Sequence, residues 1–293
     1  MMLQHGWVLE KYWGWSVCEE EASLKLLRKR RGPLTTFLLL TRSALDDIVA
    51  DAARRYGLLG PLSITVWNDF SAVSYRETGA IAGVRLKRSL GDRWFGVGTF
   101  VIDLSPPEGT LFGRIAARER TKCGQAARRG VRMEFPDQPS ESALDGFLRL
   151  YEGMARERGL ERPDRSSLAR AWEQGDLLMA RCLDSAGRDL VTNLIYLRSP
   201  HAYFLLGARE REIPSGAGHL AQWETVRRLK TAGFRWYDLG LVRSCDPEDG
   251  IYRFKKSLGG EFVSFGHEFQ HVPRGLAVAY RTFRGLRGRL RRT

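Results

Sequence analysis

Three runs in the last third of the chain hold most of the groups that can do chemistry. The first, Ile213-Pro214-Ser215-Gly216-Ala217-Gly218, is a glycine-containing loop that opens a helix. The second, Phe234-Arg235-Trp236-Tyr237-Asp238-Leu239-Gly240, is short and aromatic, and reads as a strand with Asp238 near its end. The third follows the acidic loop Asp246-Pro247-Glu248-Asp249-Gly250 and is Ile251-Tyr252-Arg253-Phe254-Lys255-Lys256-Ser257-Leu258-Gly259-Gly260. The five histidines, His5, His201, His219, His267 and His271, lie in no nucleophile motif such as G-x-S-x-G, so a Ser-His-Asp or Cys-His triad has little support. No G-x-x-x-x-G-K-[ST] loop is present, which disfavours ATP-driven ligation. The four cysteines, Cys18, Cys123, Cys182 and Cys245, form no C-x-x-C pair and have no histidine at ligand spacing. Neither a disulfide framework nor a metal site is therefore expected.

These runs need elements to hold them. Leu220, Trp223, Val226 and Leu229 recur at spacings of three and give the helix after the first loop one apolar face, which Gly233 ends. Upstream, residues 142–156 read as a helix with Leu144, Phe147, Leu148, Tyr151 and Met154 on one face, and Ser142 with Asp145 gives a loose capping box. A second helix is expected over 166–172, then strands over 177–183, 190–197 and 202–207, joined by turns short enough for an antiparallel meander. Residues 261–268 supply a last strand. Before residue 136 the pattern is mixed: a short helix over 19–27, an exposed basic run at 28–33, a helix over 45–56, and strands near 35–41, 62–66, 73–75, 81–86, 94–97 and 100–104. A basic helix then runs through 111–135, with a kink expected at Gly124, which costs about 1 kcal/mol against Ala inside a helix.

The ordered set "loop, helix, A-G-F-R-W-Y-D-L-G, then Y-R-F-K-K-S-L-G-G" resembles the second half of the Fem-type (FemABX-like) aminoacyltransferases, over roughly residues 137–273. The resemblance implies an α+β fold of tandem GNAT-like domains, with mixed, mostly antiparallel sheets flanked by helices and a divergent N-terminal copy. It implies domains over 1–136 and 137–273, with a tail helix over 274–293. It also implies transfer of an aminoacyl group from a charged tRNA to an amine of a peptide or amino-acid-derived acceptor. The acceptor would be a cell-wall precursor or a secondary-metabolite peptide, free or held on a carrier protein. No internal repeat is visible by sequence identity, so any kinship between the halves is topological.

By the same resemblance Phe254 and Lys255 stand where the family carries a Phe-Lys pair. Lys255 would approach the ester carbonyl, where an ammonium stabilises developing negative charge, and Phe254 would pack on the terminal adenosine. Lys256 competes with Lys255 for that role. Arg158 and Tyr203 resemble acceptor-binding positions, Tyr252 belongs to the same substrate-binding set, and Asp238 would orient the attacking amine. No cofactor is expected beyond aminoacyl-tRNA as co-substrate. The alternative is an acyl-CoA-dependent N-acyltransferase, which needs a loop of the form [R/Q]-x-x-G-x-[G/A] at a helix N-terminus to hold a pyrophosphate. The glycines are in place here, but Ile213 stands where Arg or Gln is expected and Pro214 lacks an N–H. A second alternative is a non-catalytic RNA- or membrane-binding protein.

Charge and composition bound these readings. The chain has 293 residues, enough for two domains, and a formal net charge of +13, which favours a polyanionic partner or simply a solvated basic surface. Arg128 and Arg129 lie in the basic helix and are candidate tRNA contacts. From Arg274 to Thr293 there are seven arginines and no acid, with Leu276, Tyr280, Phe283, Leu286 and Leu290 at helical spacing. Arg281 and Arg284 lie beside that stripe. Such a helix binds a phosphodiester backbone, lies on an anionic membrane or packs on the body, and the three readings stay open. No signal peptide or spanning segment is seen, so a cytoplasmic location is expected.

Overall fold

The structure, a computed structural model, describes residues 16–21, 24–31, 34–41, 62–66, 78–81, 84–88, 96–158, 160, 162–264 and 267–271. They fall into two compact units, Met1–Gly98 with Ser264–Thr293, and Thr99–Val263. The helix expected over 45–56, the strand at 73–75 and the tail with Arg281 and Arg284 lie outside the described residues.

The first unit is a seven-stranded sheet in the order β1-β2-β3-β4-β14-β6-β5. Its strands are β1 (Ser16–Glu21), β2 (Leu24–Arg31), β3 (Leu34–Thr41), β4 (Leu62–Val66), β5 (Thr78–Ile81), β6 (Val84–Arg88) and β14 (His267–His271). Residues 19–21 and 24–31 thus belong to two antiparallel strands, against the helix expected over 19–27, while Arg28 of the basic run is exposed as expected. Leu26 and Leu27 are fully buried, and the ladder with β3 extends to Arg31, so sheet pairing overrides the local helical and charge pattern. The strand expected over 81–86 is a hairpin of β5 and β6.

The second unit holds the sheet β13-β7-β12-β11-β10-β9-β8. Its strands are β7 (Gly98–Asp103), β8 (Arg132–Glu134), β9 (Leu177–Leu183), β10 (Asp189–Arg198), β11 (His201–Arg209), β12 (Trp236–Val242) and β13 (Glu261–Ser264). Its helices are α1 (Glu108–Arg114), α2 (Ala117–Arg128), α3 (Glu141–Arg158), α4 (Arg165–Glu173), α5 (Ala217–Thr231) and α6 (Gly250–Ser257). The expected 261–268 strand is divided: β13 stays in this sheet and β14 joins the other. The boundary expected near residue 136 falls inside this unit, because β7 and β8 are strands of its sheet.

The two sheets share a plan. β9-β10-β11 is an antiparallel meander followed by β12 parallel to β11. β1-β2-β3 is likewise antiparallel, followed by β4 parallel to β3. The halves are tandem GNAT-like units, alike in strand order and pairing while unlike in sequence.

Two local corrections bear on the site. The basic helix breaks at Ile115 and Ala116, both in extended conformation, and not at Gly124, which sits inside an intact α2. Ile115 is buried, the Ala116 N–H donates to the Ser257 carbonyl at 2.9 Å, and the Arg120 guanidinium takes the Gly113 and Ile115 carbonyls. These contacts satisfy the backbone groups that the break exposes. The start of α3 is held by Ser140, whose Oγ accepts from the Ala143 N–H at 3.4 Å, rather than by a Ser142 box. α5 matches its expected face, with Leu220, Trp223, Val226 and Leu229 all buried. Gly233, at φ +81°, closes it with the Phe234 N–H reaching back to the Leu229 carbonyl.

Candidate active site

The parallel ladder of β11 and β12 is short. His201 pairs with Trp236, Ala202 with Tyr237 and Tyr203 with Asp238, and there the ladder stops although both strands continue. Gly240 lies just past that point at φ +79°. A Cβ there would sit 3.0 Å from the Phe204 carbonyl and 3.5 Å from Lys255 Nζ, so both backbone and space call for glycine.

Lys255 comes to this place on α6, a two-turn helix N-capped by Asp249, whose carboxylate accepts from the Tyr252 N–H at 2.8 Å. Lys255 is the helix's one buried residue, at 9% exposure. Its ammonium donates to the Leu241 carbonyl at 2.8 Å and lies 5.9 Å from the centre of the Phe204 ring. Burial brings its pKa down to about 8, against the opposing pull of Asp238 and Asp249. An ammonium has three N–H donors. Among the described residues the Leu241 carbonyl is its one hydrogen-bond acceptor, which leaves two donors for a substrate oxygen.

Asp238 is 2% exposed and engaged. It accepts from the Thr99 hydroxyl and, at 2.7 Å, from the Gly240 N–H; Thr99 also reaches the Gly240 carbonyl at 2.8 Å. Its carboxylate therefore ties β7 to the bend in β12 and supports the charge on Lys255. Tyr203 is buried beside it, stacked on His201 at 6.4 Å and 6.5 Å from Tyr196. Burial raises the Tyr203 pKa, with the Asp238 charge adding to the effect.

The other expected residues are placed differently. Phe254 lies with its ring centre 4.6 Å from that of His219, and its edge 3.6 Å from where a Gly218 Cβ would be. It thus covers the first turn of α5. Lys256 is exposed, with Nζ 5.8 Å from the centre of the Tyr252 ring, so of the two lysines only Lys255 is desolvated. Tyr252 belongs to an aromatic group with Phe100 at 5.3 Å and Phe262 at 6.3 Å. Arg158 ends α3 and is exposed, as are Arg128 and Arg129 at the end of α2.

Residues not foreseen complete the surroundings. Thr99 is one. The others are Glu119 on α2, His219 in the first turn of α5 and Ser257 at the end of α6: His219 Nε2 lies 2.8 Å from Ser257 Oγ, and Nδ1 lies 3.4 Å from Glu119 Oε2. No spacing signals them, since the three come from separate elements.

Comparison with known proteins bears on the fold. Residues 114–256 match the family described as acetyltransferase (GNAT) domain. The crystal structure of FemX superposes with a TM-score of 0.62 at 16% identity, covering 89% of each chain. The chain carries the GNAT fold in its Fem-like form. L-PGS from Bacillus licheniformis superposes on this Fem-like fold with a TM-score of 0.57 at 12% identity, over 89% of this chain and 84% of that one. The C-terminal domain of a putative lysylphosphatidylglycerol synthetase from Agrobacterium fabrum gives 0.56 at 13% identity, over 92% and 86%. No curated protein matches the sequence significantly. Among the described residues, no helix of the Fem-like fold is long and apolar enough to cross a membrane.

Proposed function

We propose that the chain is an aminoacyltransferase that moves an aminoacyl group from a charged tRNA to an amine, forming an amide. The observation that carries this reading is Lys255: a desolvated ammonium with one acceptor among the described residues, held where β11 and β12 part. In the reaction the acceptor nitrogen attacks the ester carbonyl, the N–C bond forms and the C–O bond to the ribose breaks. The oxyanion formed on the way takes hydrogen bonds from Lys255, and donors of this kind contribute about 3 kcal/mol. The proton lost by the amine ends on the ribose oxygen, through water or the substrate itself. Acceptors of the peptide or amino-acid class fit, cell-wall precursors and secondary-metabolite peptides included.

Aminoacyl-tRNA is favoured over acyl-CoA by the mouth of α5. Pro214 has no N–H, the Ala217 N–H is used by the Pro214 carbonyl, and the Phe254 ring lies against the first turn where a pyrophosphate would sit. Arg128 and Arg129, exposed at the end of α2, are proposed as contacts to the tRNA backbone. The test compares binding of bulk charged tRNA with calorimetric titration of acetyl-CoA. Salt-sensitive tRNA binding without a heat from acetyl-CoA supports the reading. Saturable acetyl-CoA binding, with acetylation of an added amine, overturns it, and tRNA binding with no turnover points to the non-catalytic alternative.

A further inference from the structure

α6 has little to hold it. It is eight residues long, well below the length at which a helix is stable alone, and it buries a single side chain, the polar Lys255. Beside the half-buried Tyr252 and Phe254 and the Lys255 bond to Leu241, its seating draws on its two ends. Asp249 caps the N-terminus. At the other end everything converges on Ser257: its carbonyl accepts from the Ala116 N–H at 2.9 Å, and its Oγ lies 2.7 Å from the Phe254 carbonyl and 2.8 Å from His219 Nε2.

His219 is itself fixed. Its side chain is 14% exposed, and its Nδ1 faces Glu119, whose carboxylate also holds the Lys122 ammonium at 2.8 Å. The Glu119 carboxylate accepts only, so it selects the tautomer with the proton on Nδ1. Nε2 is then an acceptor, and the single Ser257 proton serves either Nε2 at 2.8 Å or the Phe254 carbonyl at 2.7 Å, one at a time. Burial lowers the His219 pKa, opposed by Glu119 and assisted by Lys122, which favours the neutral ring. The Phe254 ring lies tilted against it, 4.6 Å centre to centre. The three residues have the order of a nucleophile relay, but Ser257 Oγ is a helix-end hydroxyl shared with the Phe254 carbonyl. The α6 C-terminus presents carbonyls to it, and carbonyls cannot stabilise an oxyanion.

We infer that His219 is a positioning residue for transfer: held by Glu119, it latches Ser257 and packs on Phe254, and so fixes α6 with Lys255 at the parting of β11 and β12. Its consequence for catalysis rests on the transferase reading above; its geometry does not. The latch joins α2, α5 and α6 through side chains far apart in sequence.

The experiment is hydrogen exchange by mass spectrometry on the full chain at pH 7, comparing the native protein with His219→Ala, Ser257→Ala and Ser257→Thr. Both alanine variants lose a buried hydrogen bond, and the amides of α6 are expected to exchange about tenfold faster. Amides of β9 and β10 should keep their protection, which shows that the unit stays folded. Ser257→Thr, which keeps the hydroxyl, should restore native exchange in α6. Unchanged α6 exchange in both alanine variants overturns the inference, and so does loosening of α6 only in step with β9 and β10. The same proteins are then mixed with bulk charged tRNA. A fall in kcat for deacylation with KM unchanged, rescued in Ser257→Thr, is the expected result. Loosened α6 with unaltered deacylation leaves the latch standing and sinks the role assigned to Lys255.

Discussion

Replacing Lys255 by methionine should make the protein more stable near neutral pH and less active, a pairing that a merely structural lysine would not give. Methionine fills similar space without charge. Bringing the pKa of a lysine from its ordinary value to about 8 corresponds to about 3 kcal/mol of penalty for keeping the ammonium in the fold. The variant leaves the Leu241 carbonyl without its partner, which takes back about 1–3 kcal/mol. At pH 7 the variant is thus expected to be up to about 2 kcal/mol more stable. The pH dependence isolates the charge. The folded pKa lies below the unfolded one, so between pH 8 and 10.5 the unfolded chain binds more protons and native stability rises with pH. The variant lacks that rise, so the difference between the two proteins should shift by about 3 kcal/mol in favour of the native chain over that window. Urea denaturation at pH 7, 8.5 and 10 reads this directly. Deacylation of charged tRNA should fall about 100- to 1000-fold in the variant, and native activity should decline above pH 8 as Lys255 loses its proton. A stability difference that stays constant with pH, or an activity change below about threefold, refutes the reasoning.

Other outcomes follow from the same geometry. Gly216→Ala places a Cβ onto the Lys122 carbonyl at a residue with φ +91°; thermal unfolding should show a loss of at least about 1–3 kcal/mol. Thr99→Val keeps the shape but strips a donor from the buried Asp238 carboxylate, and urea denaturation should show about 2–3 kcal/mol lost. Arg128→Gln with Arg129→Gln should leave stability unchanged, and should lower the slope of log K against log salt for tRNA binding by about 2 if both contact phosphates. Cys123 and Cys182 are buried, with burial pushing their pKa values to about 11 and about 12, whereas Cys245 is exposed. Iodoacetamide at pH 8 should therefore label Cys245 ahead of the other two, as peptide mapping would show.

What the sequence made legible was the second sheet and its apolar faces. The strands β9, β10 and β11 are bounded by short turns, and α5 repeats large apolar residues at helical spacing, so local pattern and tertiary burial agree there. Residues 19–31 misled because Glu, Lys and Arg weaken any strand signal, and pairing with β3 decided the outcome. The break at Ile115 is set by contacts to Ser257 and by the Arg120 guanidinium, which no helix propensity encodes. Lys255 stood out through its motif, but its burial depends on Gly240 and Leu241 in another strand. Thr99 meets Asp238 across 139 positions, and Ser257 meets His219 across 38. Such pairings leave no trace in one sequence, and they are what turns a Phe-Lys run into a candidate site.

In the proposed reaction an aminoacyl ester is the donor and Lys255 serves its carbonyl. The measurement that tests it most directly is conversion of label from an alkali-labile ester to an alkali-stable amide. Bulk tRNA charged with labelled amino acids is mixed with the native protein or with Lys255→Met, in the presence of a dipeptide mixture. Alkali-stable label is expected from at least one charged tRNA with the native protein, and a loss of about 100-fold or more in the variant. Equal amide formation by both proteins, or none from any charged tRNA while acetyl-CoA is consumed, would contradict it.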